Sequence, residues 1–248
     1  MRIAVAGATG TVGRHVVDVA RLRGHDVVGL SRVTGQNVET GEGVDAALAG
    51  ADAVIDVTSV GSISAARSVE FFTAASATLL SAETRQRVAH HVALSIVGID
   101  TVPFGYYAGK LAQERAVTDA VVPHSILRAT QFHEFAGQLL SQTTVGPLAL
   151  VPTGLVRPVA ASDVAAALVT IAEGAPVGRA RDLRGPRDET LLGMSRRLLR
   201  AERARRLAIG VSLPGGYWRG LRSGVLRGTA DSDEGTVTFD EWLALGGS

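Results

Sequence analysis

Cysteine is absent from this 248-residue chain. Disulfide bonds, thiolate metal ligands and a cysteine nucleophile are therefore excluded. An excess of charge of one sign is lacking as well, because 25 basic and 24 acidic residues leave a formal net charge of +1. A chain so close to neutrality has no strong overall field to draw it onto nucleic acid or a membrane, and we expect neither as a partner.

Long apolar runs are also missing. The first run covers only residues 3–6 before Gly7 interrupts it, and no later run approaches the roughly 18 uncharged residues that a membrane span needs. The sequence therefore predicts neither a signal peptide nor a membrane span. Together with the missing cysteines, this pattern favours a cytoplasmic protein.

What is present is an alternation of short apolar segments with segments of helical periodicity, which continues to about residue 130. Strands are predicted at residues 3–6, 26–30, 53–57, 92–96 and 125–128, with helices at residues 11–23, 64–88 and 105–120. This alternation is typical of an α/β fold with a doubly wound parallel sheet. We expect residues 1–145 to form its core and residues 146–248 a smaller lobe, an arrangement that allows later elements to return to the core.

A glycine-rich turn lies between the first predicted strand and the first predicted helix. Its first glycine permits a tight turn, its second lets the backbone approach a diphosphate, and its third allows the helix to pack closely on the strand. The start of the helix adds free N–H groups that favour anions. The turn therefore predicts a dinucleotide site, with the contacts Gly7, Thr9, Gly10, Thr11, Val12 and Gly13.

The end of the second predicted strand bears on the choice of dinucleotide. An acidic residue there would bind the ribose hydroxyls of NAD, and none is present. Ser31 and Arg32 follow instead. A hydroxyl and a guanidinium suit a 2′-phosphate, so the sequence favours NADP, although NAD stays open.

Five segments resemble the short-chain dehydrogenase/reductase family, and specifically its atypical, NmrA-like branch. They are AGATGTVG at 6–13, VALSIVG at 92–98, YYAGK at 106–110, LRATQF at 127–132 and PVAASDVA at 158–165. The resemblance covers roughly residues 1–175. It implies a Rossmann-type fold, a nicotinamide dinucleotide and a small-molecule substrate.

Tyr106 and Lys110 lie four residues apart on one predicted helix face. A lysine ammonium beside a phenol lowers the tyrosine pKa, which makes Tyr106 a candidate acid and base. Lys110 is the only lysine of the chain, so we infer that its position needs a compact ammonium. The resemblance implies that Lys110 also binds the nicotinamide ribose and that Ser95 orients the substrate oxygen, unless Ile96 or Val97 occupies the serine position. Tyr107, which competes for the role of Tyr106, is interpreted as a packing residue.

Further candidate residues follow the predicted strands. We expect Asn37 to contact adenine, and Thr58 and Ser59 to contact the cofactor through their backbone. The segment that resembles the one passing the nicotinamide places Thr130 and Phe132 at the cofactor, with Gln131 and His133 near the substrate. His133 is interpreted as a packing or surface histidine rather than a base.

Two conspicuous patterns are assigned no function. His90 and His91 point to opposite faces of a strand and have no carboxylate nearby in sequence, so no metal is expected. The arginine run at residues 196–206 lacks interleaved aromatic residues and is interrupted by Glu202. We interpret it as a solvated, partly salt-bridged helix rather than a nucleic-acid site. A helix is also predicted at residues 164–173, with Ser162 as its N-cap.

The combined hypothesis is an NADP-dependent oxidoreductase of the atypical short-chain type, acting on a small carbonyl, alcohol or quinone. One alternative is a non-catalytic NAD(P)-binding sensor or regulatory protein of the NmrA-like kind. Another is a nucleotide-sugar epimerase or dehydratase, for which the carboxy-terminal lobe is short. The oligomeric state is expected to be a monomer or a homodimer.

Overall fold

The computed structural model of the protein describes residues 1–247. Its helices are α1 Thr11–Leu22, α2 Val44–Leu48, α3 Ala65–Gln86, α4 Gly105–Thr118, α5 Phe135–Thr143, α6 Ala161–Glu173, α7 Leu191–Ala201, α8 Gly216–Ser223 and α9 Phe239–Ala244. Its strands are β1 Arg2–Ala6, β2 Asp26–Leu30, β3 Ala53–Asp56, β4 His90–Ile96, β5 His124–Ala129, β6 Thr144–Val145, β7 Leu148–Pro152, β8 Leu155–Val156, β9 Gly178–Arg179, β10 Leu183–Arg184, β11 Glu189–Thr190, β12 Leu207–Val211 and β13 Asp233–Glu234.

The main sheet has the strand order β2-β1-β3-β4-β5-β10-β13, and β9 pairs with β5 beside this path. Every pairing in it is parallel. The predicted doubly wound, Rossmann-type α/β fold is therefore confirmed. Because the strands are parallel, the carboxyl ends of β1 to β5 meet at one edge of the sheet, where such folds bind ligands.

Helices cover both faces of the main sheet because its central strands are apolar on both sides. On one face Val5, Ile55 and Leu94 form a core with the apolar sides of α1 and α6. On the other face Ala4 and Val54 pack against α2 and α3. All four residues of β3 are buried, as expected for a central parallel strand.

Residues beyond 145 complete this core as well as forming a lobe. Helix α6 packs against α1 and closes one face of the sheet, while β10 and β13 extend the sheet past β5. The N-cap of α6 is Ala160 and not Ser162, so that prediction was wrong. Helix α6 starts earlier because Ala161 is buried in the core, and Asp163 in its first turn accepts hydrogen bonds from the backbone of Thr236 and Val237.

The remaining elements form a second core. Helices α5, α7, α8 and α9 surround the small sheet of β6, β7 and β12, with Leu139, Met194 and Phe239 at the centre. The arginine run is only partly helical, because α7 ends at Ala201 and the later arginines lie outside it. Among residues 1–247, no helix combines the length and apolar character that crossing a membrane requires.

Gly13 allows a prediction about the packing of α1 on β1. A Cβ atom at this residue would lie 2.1 Å from the carbonyl oxygen of Gly7. We expect Gly13→Ala to lower the free energy of unfolding by about 2 kcal/mol or more, because the backbone has to move. Denaturant titration followed by circular dichroism measures this change.

Gly137 provides a matched control, since it also lies in a helix but its Cβ would meet only Leu198 Cδ2, at 3.7 Å. Gly137→Ala is expected to leave stability unchanged or to raise it by up to about 1 kcal/mol through helix propensity. Equal denaturation midpoints for the two variants would contradict the close approach at Gly13.

Candidate functional site

The glycine loop follows β1 at the carboxyl edge of the sheet. Gly7 has a φ of +86°, and a Cβ there would lie 2.9 Å from the carbonyl oxygen of Val57. Only glycine fits here, because other residues disfavour a positive φ and because there is no space for a Cβ atom. The glycine loop therefore packs directly against the backbone of Val57 and Thr58, the two residues that follow β3.

The start of α1 is open to a ligand. Its N-cap is Gly10, which has no side chain to accept hydrogen bonds from the first N–H groups, and Thr9 and Gly10 are exposed. These N–H groups and the positive end of the helix dipole suit a diphosphate. Thr11 is partly buried, and Val12 turns into the core between β1 and α6. The cradle fits the backbone approach that a dinucleotide requires.

The end of β2 lies beside this loop, since the backbone N–H groups of Gly7 and Ala8 donate to the carbonyl of Leu30. Ser31 caps a short 3₁₀ turn by accepting a hydrogen bond from Thr34. Arg32 is exposed, and although its carbonyl accepts a hydrogen bond from the N–H of Gly35, its side chain makes no hydrogen bond or ion pair with any residue in 1–247. Its guanidinium is therefore available to a ligand phosphate at this edge.

Asn37 has a local structural role in the loop after β2. Its side-chain oxygen accepts a hydrogen bond from the backbone N–H of Glu39 at 2.9 Å. This contact closes a turn of the kind that asparagine commonly forms. The predicted adenine contact of Asn37 stays a prediction.

Strand β3 ends in a buried carboxylate, Asp56. Its oxygens accept hydrogen bonds from the backbone N–H and hydroxyl of Thr58, at 2.9 and 2.6 Å, and from the side-chain amide of Gln113 at 2.7 Å. Thr58 is thereby fixed beside Gly7, and Ser59 emerges exposed at the edge of the sheet. The hydroxyl of Thr58 points to Asp56, which leaves its backbone to face the glycine loop.

Tyr106, in the first turn of α4, reaches this same edge. Its hydroxyl lies 2.8 Å from the hydroxyl of Ser59, and its ring packs edge-on against Phe72 of α3. Burial and the nearby Asp56 carboxylate raise the pKa of Tyr106 above its usual value. The phenol is therefore neutral near pH 7 and holds a proton that it can donate.

Lys110 is fully buried one turn further along α4. Its ammonium donates a short hydrogen bond to Gln113 and lies 4.7 Å from the centre of the Phe72 ring. Burial lowers the pKa of Lys110 to about 8, against the opposing effect of Asp56 and Glu114. The chain's one lysine thus belongs to a polar network of Lys110, Gln113 and Asp56 beneath the sheet edge.

This arrangement corrects one expectation about Tyr106. Its pKa was expected to be lowered by Lys110, but it is raised, because the Lys110 ammonium is directed to Gln113 while Asp56 acts on the phenol. The serine bonded to Tyr106 is Ser59, whereas the hydroxyl of Ser95 is buried without a hydrogen-bond partner in the described residues. The catalytic roles of Tyr106, Lys110 and Ser95 stay predictions.

The end of β5 supplies the other wall of this edge. Thr130 is buried, and its hydroxyl donates to the carbonyl of Arg157 at 2.6 Å, while Phe132 packs on the core beside Val159. His133 is buried, lies 3.0 Å from the carbonyl of Val237 through Nε2, and has a pKa lowered by burial. His133 therefore packs inside the carboxy-terminal lobe.

Tyr107 points away from Tyr106, into the second core. It is buried and packs edge-on against Phe104 at 5.2 Å and Tyr217 at 5.9 Å. An open cleft of about 520 Å³ lies beside it, lined by Phe104, Tyr107 and Leu111 among others. Tyr106 does not line this cleft.

Two functional candidates were missed by sequence reasoning. Asp56 and Gln113 organise Lys110, and a signal for them was available, since an aspartate ends an apolar strand and Gln113 lies three residues after Lys110. Glu134, after β5, has buried carboxylate oxygens without a hydrogen-bond partner in residues 1–247, and burial raises its pKa against the effect of Arg14. Arg14 belongs to α1, so Glu134 approaches the glycine loop.

The two adjacent histidines face opposite sides of β4. His90 Nε2 lies 2.8 Å from the hydroxyl of Ser125, and His91 Nδ1 lies 2.8 Å from the buried carboxylate of Glu83. Glu83 raises the pKa of His91 against the effect of burial. Histidine and carboxylate side chains form no group of three or more that could hold a metal ion within the described part of the chain.

Fold and site together define a Rossmann-type α/β protein with an open glycine-rich turn and a tyrosine at the same edge of the sheet. Residues 3–95 match the model of the NAD dependent epimerase/dehydratase family. The match covers less than half of the chain and agrees over that part with the predicted resemblance to the short-chain dehydrogenase/reductase family, and the NmrA-like branch stays a prediction. No curated protein matches the sequence.

Solved structures with similar folds cover nearly the whole chain. The NADPH-dependent quinone oxidoreductase QOR2 of Escherichia coli, complexed with NADPH, has 17% identity and a TM-score of 0.74 over 99% of this chain and 100% of that one. A short-chain dehydrogenase/reductase superfamily protein of Agrobacterium tumefaciens with bound NAD has 18% identity and a TM-score of 0.74, with coverages of 99% and 95%. The UDP-glucose 4-epimerase of Thermotoga maritima, solved with UDP-glucose, has 16% identity and a TM-score of 0.73, with coverages of 99% and 97%. At these identities the likeness shows the fold.

The environment of Lys110 can be measured directly, because protein labelled with ¹³C at lysine Cε contains one labelled side chain. We expect its NMR signal to titrate with a midpoint of about 8, well below the usual lysine pKa of 10.5. Asp56→Asn should lower the midpoint further, since it removes a charge that favours the ammonium.

Asp18→Asn is the control, because Asp18 is exposed on α1, far from Lys110 in the fold. Asp18→Asn should leave the titration midpoint of Lys110 unchanged. Cooperative unfolding shows that the variant is folded. A midpoint near 10.5 in the unaltered protein would show that Lys110 is not buried in this network.

Proposed function

We propose that the protein is an NADP-dependent oxidoreductase of the atypical short-chain type, acting on a small carbonyl, alcohol or quinone. One observation carries the proposal: a continuous line of contacts joins the glycine loop to the protonated phenol of Tyr106. Gly7 touches the backbone of Val57 and Thr58, and Ser59, the next residue, is hydrogen-bonded to Tyr106. A ligand seated on the loop along this edge therefore extends toward the Tyr106 hydroxyl.

The glycine cradle and the start of α1 would hold the diphosphate of the cofactor. Ser31 and Arg32 would bind a 2′-phosphate, and Thr130 and Phe132 would line the nicotinamide end. When bound, the nicotinamide supplies or accepts a hydride at the substrate carbon. The preference for NADP rests on the free Arg32 guanidinium and on the absence of an acidic residue at the end of β2.

Tyr106 would act as a general acid during reduction. Its raised pKa keeps the hydroxyl protonated, so it can donate that proton to the oxygen of the carbonyl being reduced. Ser59 is exposed to water and bonded to Tyr106, so it is placed to return a proton to the phenolate. Lys110, buried and largely charged below pH 8, would stabilise the transient phenolate through its field.

The similar structures support this class of reaction and leave the substrate open. They include an NADPH-dependent quinone oxidoreductase and a UDP-glucose 4-epimerase. A proton-donating phenol suits the reduction of a quinone and of other carbonyl compounds alike.

A second candidate function is a cofactor-binding sensor of the NmrA-like kind. The observation that favours it is the hydrogen bond of Lys110 to Gln113, together with the absence of a hydrogen bond between Ser95 and Tyr106 in the described residues. In that case the protein binds the dinucleotide without converting it. The two functions differ in whether NADPH is oxidised at all.

Tyr106→Phe separates these functions. For an oxidoreductase we expect kcat for quinone or carbonyl reduction to fall roughly 100-fold or more, because the proton donor is removed. The Kd for NADPH should stay within a factor of about two, since the hydroxyl has no part in the diphosphate site. The loss of NADPH absorbance measures kcat, and NADPH fluorescence measures the Kd.

The other two tyrosines complete the experiment. Tyr217→Phe should leave kcat unchanged, because Tyr217 packs against Phe104 in the second core. If Tyr107→Phe abolishes turnover and Tyr106→Phe does not, the assignment of the acid is wrong. If the unaltered protein binds NADPH but oxidises none with any carbonyl or quinone, the sensor function replaces the enzyme.

Arg32→Gln tests the choice of cofactor. We expect the Kd for NADPH to rise about tenfold or more and the Kd for NADH to change little, since a charge-assisted contact to the 2′-phosphate is lost. The exposed Arg21 of α1 gives the control Arg21→Gln, which should alter neither Kd. Tighter binding of NADH than NADPH by the unaltered protein would contradict the preference.

A further inference from the structure

The small sheet of the carboxy-terminal lobe has one covered face and one uncovered face. On the covered face Ala149, Val151 and Ala208 are buried in the second core. Because side chains alternate along a strand, the neighbouring residues point the opposite way. Those outward residues are all aliphatic, and we call them the aliphatic face: Val145, Leu148, Leu150, Leu207 and Ile209.

The strand register places these five side chains side by side. Leu148 pairs with Leu207, Leu150 pairs with Ile209, and Val145 pairs with Leu148 across the three strands. Each is exposed, by 39% to 73% of its surface. The face is therefore a contiguous patch, and contiguous apolar patches on soluble proteins often mark interaction sites, whereas scattered ones do not.

Four arginines lie in the chain segment that leads into β12, whose first residue, Leu207, begins the aliphatic face on that strand. Arg205 and Arg206 directly precede β12, whose first residue, Leu207, donates its N–H to the carbonyl of Pro147 before β7. Arg200 and Arg203 come just before them in the chain. All four are exposed and form no ion pair within residues 1–247, in contrast to Arg197, which is bonded to Glu189 and Asp240.

The aliphatic face together with the nearby positive charge indicates which kind of partner binds there. Net charge predicted no membrane partner, but charge and apolar surface are concentrated locally here, and we propose that the aliphatic face and its four arginines dock the protein onto an anionic lipid surface. The aliphatic side chains would enter the boundary between headgroups and acyl chains, and the guanidinium groups would bind lipid phosphates. Two such signals together give peripheral attachment, which involves no membrane-spanning segment.

Other occupants fit the surface less well. A second copy would bring few carboxylates opposite the arginines, because the aliphatic face itself carries none and the arginine run contains only Glu202. The five partly exposed side chains cover less than the roughly 800 Å² that each partner contributes to a standard protein interface. The face also lacks the aromatic side chains that are enriched in the centre of such interfaces.

Sedimentation with sucrose-loaded vesicles tests the proposal on the full-length protein. We expect binding to phosphatidylcholine vesicles that contain phosphatidylglycerol, no binding to phosphatidylcholine alone, and weakening as salt is raised. Leu207→Ser with Ile209→Ser should lower the partition coefficient about tenfold or more. Arg205→Gln with Arg206→Gln should do the same, because each variant removes one of the two signals.

The control variant combines Arg21→Gln with Leu22→Ser, which removes an exposed basic and aliphatic pair from the end of α1. It should bind vesicles as the unaltered protein does. Circular dichroism and NADPH binding establish that every variant is folded, as expected for substitutions of exposed side chains.

Three results would overturn the proposal. The first is the absence of binding to anionic vesicles. The second is a dimer, seen by light scattering, that Leu207→Ser with Ile209→Ser dissociates, because the aliphatic face then binds a second copy. The third is binding that persists in that variant and extends equally to a soluble polyanion such as polyglutamate, because the arginines alone then attract any acidic partner.

Discussion

The contact between the first βα turn and the backbone beyond β3 is the constraint on which the site depends. At Gly7 two backbones meet without an intervening side chain, and at Gly13 the helix rests directly on the turn. This proximity leaves the start of α1 open and sets Ser59 beside the same edge, where Tyr106 bonds to it. A methyl group added at Gly7 would lie 2.9 Å from the carbonyl oxygen of Val57, and one at Gly13 would lie 2.1 Å from that of Gly7, so the backbones would have to move apart.

The local pattern of apolar residues was sufficient to predict the strands and helices of the first half of the chain. Strand β2 and helix α1 appear where alternation and periodicity predict them, and the order of strands and helices in the first half implies the sheet. Contacts distant in sequence were not predictable. Residue spacing placed Lys110 on the face of Tyr106, yet its partner is set by Asp56, 54 positions earlier, through Gln113. In the same way, nothing in β4 indicates that His91 meets Glu83 of α3.

Beneath the ligand edge the protein keeps several charged groups away from water. Buried charges are tolerated only when they are paired and hydrogen-bonded, and removing one partner usually costs more than the pair contributes. Asp56 illustrates this rule, since each of its oxygens has a defined donor and its field acts on both Lys110 and Tyr106. One helical turn apart, the pKa of the Lys110 ammonium is lowered and the pKa of the Tyr106 phenol is raised.

The return of α6 to the main sheet has a consequence for how the protein forms during synthesis. Strands β1 to β5 are complete by residue 129, but one face of that sheet is covered only by α1 until α6 follows. Ribosomes add roughly 5–20 residues per second, so the part of this apolar face that α6 covers stays exposed for several seconds in each round of translation. Apolar surface exposed in this way favours association with other chains until α6 has left the exit tunnel.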